Sequence, residues 1–111
     1  MVGLLEQVMP FDDERLAEAQ VWLAFASRSL VDPQMQDLRH TADAGVRELC
    51  RQCVLAMQAL GLMAPERGVA HETDRLWAVV DGLTLHLVTG HTSRRTARQT
   101  LRRHVAELTT R

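Results

Sequence analysis

Apolar positions recur every three or four residues along most of the chain, the period of helices with one buried face. Leu16, Ala19, Leu23, Ala26 and Leu30 make one stripe, with Trp22 and Phe25 on an adjoining face. Met35, Leu38, Ala42, Val46, Leu49, Cys53, Ala56 and Leu60 make a longer stripe, widened in its second half by Cys50, Val54 and Met57. Both stripes read as core. No segment alternates apolar and polar residues long enough for a strand. Pro10, Pro33 and Pro65 each fall where a helical pattern breaks. Val2–Met9 reads as the last turns of a helix cut off by Pro10. A second runs from an Asp12 or Asp13 cap to about Leu30. A third runs from Asp32-Pro33 to Leu60, with Gly61 as its stop and Gly45 as a point of kinking or division. A fourth runs from Glu72 to near Thr89-Gly90, and a fifth from a Thr92 or Ser93 cap to about Leu108. The expected fold is all-α: an antiparallel bundle of four to five main helices. At 111 residues the whole chain, 1–111, is expected to be one domain.

The fourth helix breaks the amphipathic rule. Leu76, Trp77, Ala78, Val79, Val80, Leu83, Leu85, Leu87 and Val88 cover nearly its whole circumference. A helix apolar all round must be buried on every side. A small bundle has few helices to do this, so the surplus face is expected to meet a second copy. Leu101, Val105 and Leu108 add a stripe on the last helix. The expected homodimer contact is therefore a four-helix arrangement built from Leu76, Val80, Leu83, Leu87, Leu101, Val105 and Leu108. The plainer reading makes the fourth helix the centre of a monomer.

Composition adds limits rather than a function. The chain is 46% apolar and 24% charged, ordinary for a globular domain. No apolar run approaches the roughly 20 residues that span a bilayer. The N-terminus lacks a basic region followed by an apolar run, so a cytoplasmic protein without membrane attachment is expected. Net charge is −1, but its distribution is uneven: −5 over residues 1–48, −1 over 49–90 and +5 over 91–111. A basic tail and an acidic first half are expected to pair, within one subunit or between two.

Few residues suggest chemistry. Cys50-x-x-Cys53 has no second ligand pair, so buried reduced thiols are expected and no metal or cofactor. Arg94, Arg95, Arg98, Arg102 and Arg103 lack interleaved aromatics, and follow the spacing of a solvated or paired face rather than a nucleic-acid ridge. Asp81-Gly82 interrupts an apolar helix. The glycine suggests a close helix approach, and a buried Asp81 needs a partner such as Arg75, Arg98 or Arg102. There is no phosphate loop, nucleophile elbow or Glu-x-x-His pair, and Asp81 and His86 do not share a helix face. An enzyme is not expected.

Three segments together resemble one family. RLAEAQVWLAFASRSLVDPQMQDL (residues 15–38) is similar to the early ligand-domain helices of TetR-family transcriptional regulators. LWAVVDGLTLHLVTG (76–90) followed by ARQTLRRHVAEL (97–108) resembles their last two helices, nearest to the subgroup with BetI-like C-terminal domains. The likeness covers nearly the whole chain and only the regulatory half of such proteins, since no helix-turn-helix segment is present. It implies an effector-binding and homodimerisation domain that does not bind nucleic acid by itself. It also implies a cavity for a small apolar or amphipathic effector among the second, third and fourth helices. Trp22, Phe25, Met57 and Trp77 would be its bulky lining, and Ser29, Asp81 and His86 its polar anchors. Each of these side chains serves equally well as core filler. The alternative function is a stand-alone helical interaction module that heterodimerises with a full-length regulator.

Overall fold

The computed structural model describes residues 2–109. It contains α1 (Val2–Val8), α2 (Asp13–Ser29), α3 (Pro33–Ala59), α4 (Val69–Val88) and α5 (Arg94–Leu108), and no strand among the described residues. The fold is an all-α bundle, elongated at 43 × 30 × 18 Å with a radius of gyration of 14.7 Å. A spherical domain of this length would give about 13 Å.

Local chemistry sets the helix ends. Asp12 caps α2 by accepting from the Arg15 amide at 2.8 Å. Asp32 caps α3 by accepting from the Gln34 amide at 3.0 Å, and Pro33 occupies the first turn, where an amide would have no partner. Ser93 caps α5 by accepting from the Thr96 amide. Helices α3 and α4 end alike. Gly61 (φ 70°) and Gly90 (φ 77°) take the left-handed conformation. The following amides, Leu62 and His91, then donate back to Met57 and His86 carbonyls at 2.9 and 2.8 Å. Helix α4 starts three residues before the predicted Glu72, at Val69. Gly68 takes the cap position without a side-chain bond, and Glu72 lies in the first turn, where a carboxylate complements the helix dipole. Helix α3 is continuous through Gly45, so that glycine does not divide it.

The core lies off-centre. Leu5 and Met9, the second half of α3 (Cys50, Cys53, Val54, Met57), Met63, the Leu76–Val80–Leu83–Leu87 face of α4 and the Ala97–Leu101–Val105–Leu108 face of α5 form one buried cluster. Helix α3 makes its most extensive contact with α4, and α1 packs on α5. Helix α2 touches α3 and α4 but contributes only Ser29 to the buried set. The two predicted stripes are therefore core only in places. Leu16, Ala19, Leu23, Ala26, Met35 and Leu49 are half-buried. Val46 is exposed, and Leu38 is 64% and Leu60 66% exposed. The reason is geometric: α2 and the first half of α3 have no third layer over them, so each buries only the side turned to its neighbour.

This division predicts unequal costs. Leu101→Ala should cost about 3 kcal/mol in urea unfolding, because its side chain is fully enclosed. Leu38→Ala should change stability by no more than about 0.5 kcal/mol. Equal losses would mean that the α2–α3 hairpin is as tightly packed as the α3–α4–α5 core.

Candidate functional site

The uncovered hairpin leaves a space. A cavity of about 610 Å³ lies between it and the rest of the bundle. Gln7, Val8 and Pro10 come from the α1 end, Arg15, Glu18, Ala19 and Trp22 from α2, Ala42, Gly45, Val46 and Leu49 from α3, and Val80, Asp81 and Thr84 from α4. The volume falls within the ~300–1,000 Å³ of small-molecule sites, and the walls are mostly apolar. Val8, Val46 and Asp81 are exposed, so the cavity opens to solvent. Gly45 matters here for what it lacks: a Cβ added to it would meet nothing within 4 Å.

Of the seven residues expected to contact an effector, Trp22 and Asp81 line this cavity. Phe25 stands behind Trp22, ring centroids 5.4 Å apart and planes tilted by 36°. Ser29 is buried but donates to the Ala26 carbonyl at 2.6 Å. Met57 is wholly within the core, and Trp77 packs on the core's edge. His86 is exposed and is not in the wall. Arg15, Glu18 and Thr84 give no sign of this role in the sequence, since each is ordinary on a solvated helix, while Val46 reads there as core and Gly45 as a break.

The expected dimer stripe needs a larger correction. Leu76, Val80, Leu83, Leu87, Leu101, Val105 and Leu108 are all buried inside the single chain, none more than 9% exposed. They pack α4 and α5 onto α1 and α3, and Val80 also floors the cavity. That face is therefore occupied within one subunit, and a charge at Leu83 or Val105 would unfold the chain rather than separate a pair of copies. The face of α4 left open is Ala78–Gly82–Leu85. A Cβ on Gly82 would meet nothing within 4 Å, so no close approach inside the chain explains that glycine.

Charge is arranged in two ways. The basic tail closes onto the acidic N-terminal region. Arg94 bonds Asp13 at 2.6 Å, Arg98 lies 4.8 Å above the Phe11 ring, and Arg102 bonds Glu6 through two nitrogens at 2.6 and 3.2 Å. These three arginines stand four residues apart, so they form one row along α5 that holds α1 and the α1–α2 corner. The Arg102 guanidinium holds the Glu6 carboxyl below its ordinary range. Asp81 is the opposite case. None of the three expected arginine partners reaches it: Arg75 bonds the buried Glu72 at 3.2 Å, and Arg98 and Arg102 are in the row just described. Burial and the nearby charge of Asp43 push the Asp81 carboxyl above its ordinary range. The indole N–H of Trp77, which makes no well-formed hydrogen bond, offsets this only partly.

At the far end of the bundle Glu72 is 3% exposed and receives both Arg67 and Arg75 on one oxygen, at 3.6 and 3.2 Å. Beside it, burial and Arg75 hold His104 below its ordinary pKa. Cys50 and Cys53 are free and buried, and burial with the neighbouring thiol pushes Cys50 up to about 11. Such thiols are protonated and unreactive at neutral pH. No group of three or more metal-ligating side chains occurs among the described residues.

The two carboxylates predict pH effects of opposite sign. A lowered carboxylate pKa gives stability that is present at neutral pH and lost as pH falls through it. Glu6→Gln should therefore lower the melting temperature at pH 7, and the difference from the parent should close towards about pH 4. A raised pKa means that the charged form costs stability. Asp81→Asn should raise the melting temperature of the ligand-free chain at pH 7, and the gain should shrink on acidification. Parallel pH trends in the two variants would contradict this assignment.

The comparison with known proteins agrees with the architecture. The BetI-type transcriptional repressor C-terminal family matches residues 1–110. The chain is also similar to the HTH-type transcriptional regulator PksA of Bacillus subtilis (strain 168), with 28% identity over 86 residues. That match covers 78% of this chain and 40% of PksA, so the chain spans less than half of the relative. No solved structure matches it significantly. No helix among the described residues is long and apolar enough to cross a membrane. The family is one of transcriptional regulator domains rather than enzymes, and with its match running over nearly the whole length, the chain belongs to the BetI-type transcriptional repressor C-terminal family.

Proposed function

We propose that residues 1–111 form the effector-binding and dimerisation domain of a TetR-like regulator of transcription, acting in the cytoplasm. The observation that carries this reading is the cavity of about 610 Å³, walled by four helices yet open to solvent. A ligand there touches α1, α2, α3 and α4 at once. It therefore favours whichever arrangement of these helices fits it, and a shift in their populations is the signal. Helix α1 conveys that shift: its Gln7 and Val8 face the cavity, while its Glu6 is tied to Arg102 of α5. Three of the five arginines of α5, Arg94, Arg98 and Arg102, serve this internal fastening, which supports a domain that does not itself hold nucleic acid.

The dimer in this reading uses the open Ala78–Gly82–Leu85 face of α4 with the outer side of α5. Leu85 is 46% exposed, and Gly82 leaves room for close approach of a second helix. Two copies joined this way retain the four-helix geometry expected from the sequence, with a different set of residues at its centre.

Two measurements test the reading. Nile red, a neutral apolar dye, should bind the parent chain with a fluorescence gain. Gly45→Leu, whose Cβ meets nothing within 4 Å and whose longer side chain takes up cavity space, should weaken that binding by about tenfold, or 1.4 kcal/mol. Its helix should be no less stable, since leucine is the better helix former. Unchanged dye binding would contradict the cavity as the site. In light scattering the parent should have twice the 12.5 kDa chain mass, and Gly82→Trp should have the monomer mass while staying folded. A dimer that persists in Gly82→Trp would contradict the proposed face.

A further inference from the structure

We infer that the cavity selects an amphiphilic organic cation, a single positive centre carried on an apolar aromatic or branched body. The inference rests on the effector-binding reading and adds the chemical class of the ligand. Two carboxylates, Glu18 on α2 and Asp81 on α4, stand on opposite walls. Asp43 of α3 is close enough to Asp81 for its charge to be felt there. Three arginines of these helices are engaged elsewhere. Arg15, the only basic residue among the described residues of the wall, is held by Asp12 through its side chain at 2.6 Å, while Asp12 also accepts its amide. Arg47 of α3 bonds Asp74 at 2.9 Å, and Arg75 of α4 bonds Glu72. Helix α1 presents the neutral Gln7. The cavity thus holds negative charge that the chain leaves uncompensated.

The rest of the wall suits the same ligand. Trp22 offers the strongest aromatic surface for a cation, and Phe25 braces it from behind. Ala19, Ala42, Val46, Leu49 and Val80 provide an apolar surface for the body of the molecule. The Thr84 hydroxyl is already donated to the Val80 carbonyl at 2.9 Å, which leaves the wall poor in donors for an anion. An anionic ligand would face two carboxylates with one committed arginine. A neutral ligand would leave Asp81 crowded by Asp43, whereas a cation relieves that repulsion on binding.

Three probes of closely related shape separate the charge term from the cavity itself: tetraphenylphosphonium, tetraphenylborate and triphenylphosphine oxide. Titration calorimetry on the 111-residue chain should show the phosphonium binding at least about tenfold more tightly than the borate or the neutral oxide, a difference of 1.4 kcal/mol. Asp81→Asn and Glu18→Gln should each weaken the phosphonium several-fold and leave the oxide unchanged, and circular dichroism verifies that both variants fold. Oxide or borate binding as tight as the phosphonium overturns the charge selectivity and leaves the cavity reading standing. A preference for the phosphonium that survives the double variant also overturns it, since the charge would then come from elsewhere. Binding of none of the three overturns the cavity reading and this inference with it.

Discussion

Helix α4 carries apolar side chains on almost every face, and the arrangement of the other helices follows from covering it. The second half of α3, α5 and the short α1 enclose Leu76, Val80, Leu83 and Leu87 in one cluster. With those partners in place, the Trp77–Asp81–Thr84 side of α4 is what remains for α2. That side carries a carboxylate and a hydroxyl, so α2 has little apolar surface to close against. It rests on both α3 and α4, and the gap left under the hairpin is the cavity. The placement of the candidate site is thus a consequence of how the central helix is buried.

The second organising feature is the row Arg94, Arg98 and Arg102. Exposed ion pairs contribute little to stability one at a time. Two ion pairs and a cation–π contact in register on one helix face do something else: they set where α1 and the α1–α2 corner lie against α5. Because α1 also borders the cavity, the corner that the row holds is the stretch of wall that joins ligand space to α5. Asp81, by contrast, is left without a cation of its own. Like Glu18 across the cavity, it makes no ion pair among the described residues, and it faces the opening.

Much of this is legible in the sequence. Caps at Asp12, Asp32 and Ser93 and stops at Gly61 and Gly90 depend on side chains a few residues away, so local reading locates them. The pairing of the basic tail with the acidic first half is legible as a charge imbalance, whereas of the seven residues that the family resemblance implied for a cavity only Trp22 and Asp81 line the one present. What the sequence does not reveal is direction. An apolar stripe such as Leu76–Leu83–Leu87 says that a face must be covered without saying whether the cover is α3 of the same chain or a second copy. Leu16–Leu30 looks equally suited to a core, and stays half-covered because no layer lies beyond it. The cavity walls at Arg15, Glu18 and Thr84 carry no signal, being common helix-surface residues. Gly45 reads as a helix breaker, whereas its effect is to leave a wall open.

A firm core around α4 supports a loosely attached α2–α3 hairpin bordering the cavity. Native-state hydrogen exchange resolved by residue tests it most directly. Amides in the middle of α4 and the second half of α3 should exchange only through global unfolding. Amides of α2 and of α3 before Gly45 should exchange much faster, through local opening of the hairpin. Uniform protection across all of α2, α3 and α4 would contradict the account, because the hairpin would then be as firmly packed as the core.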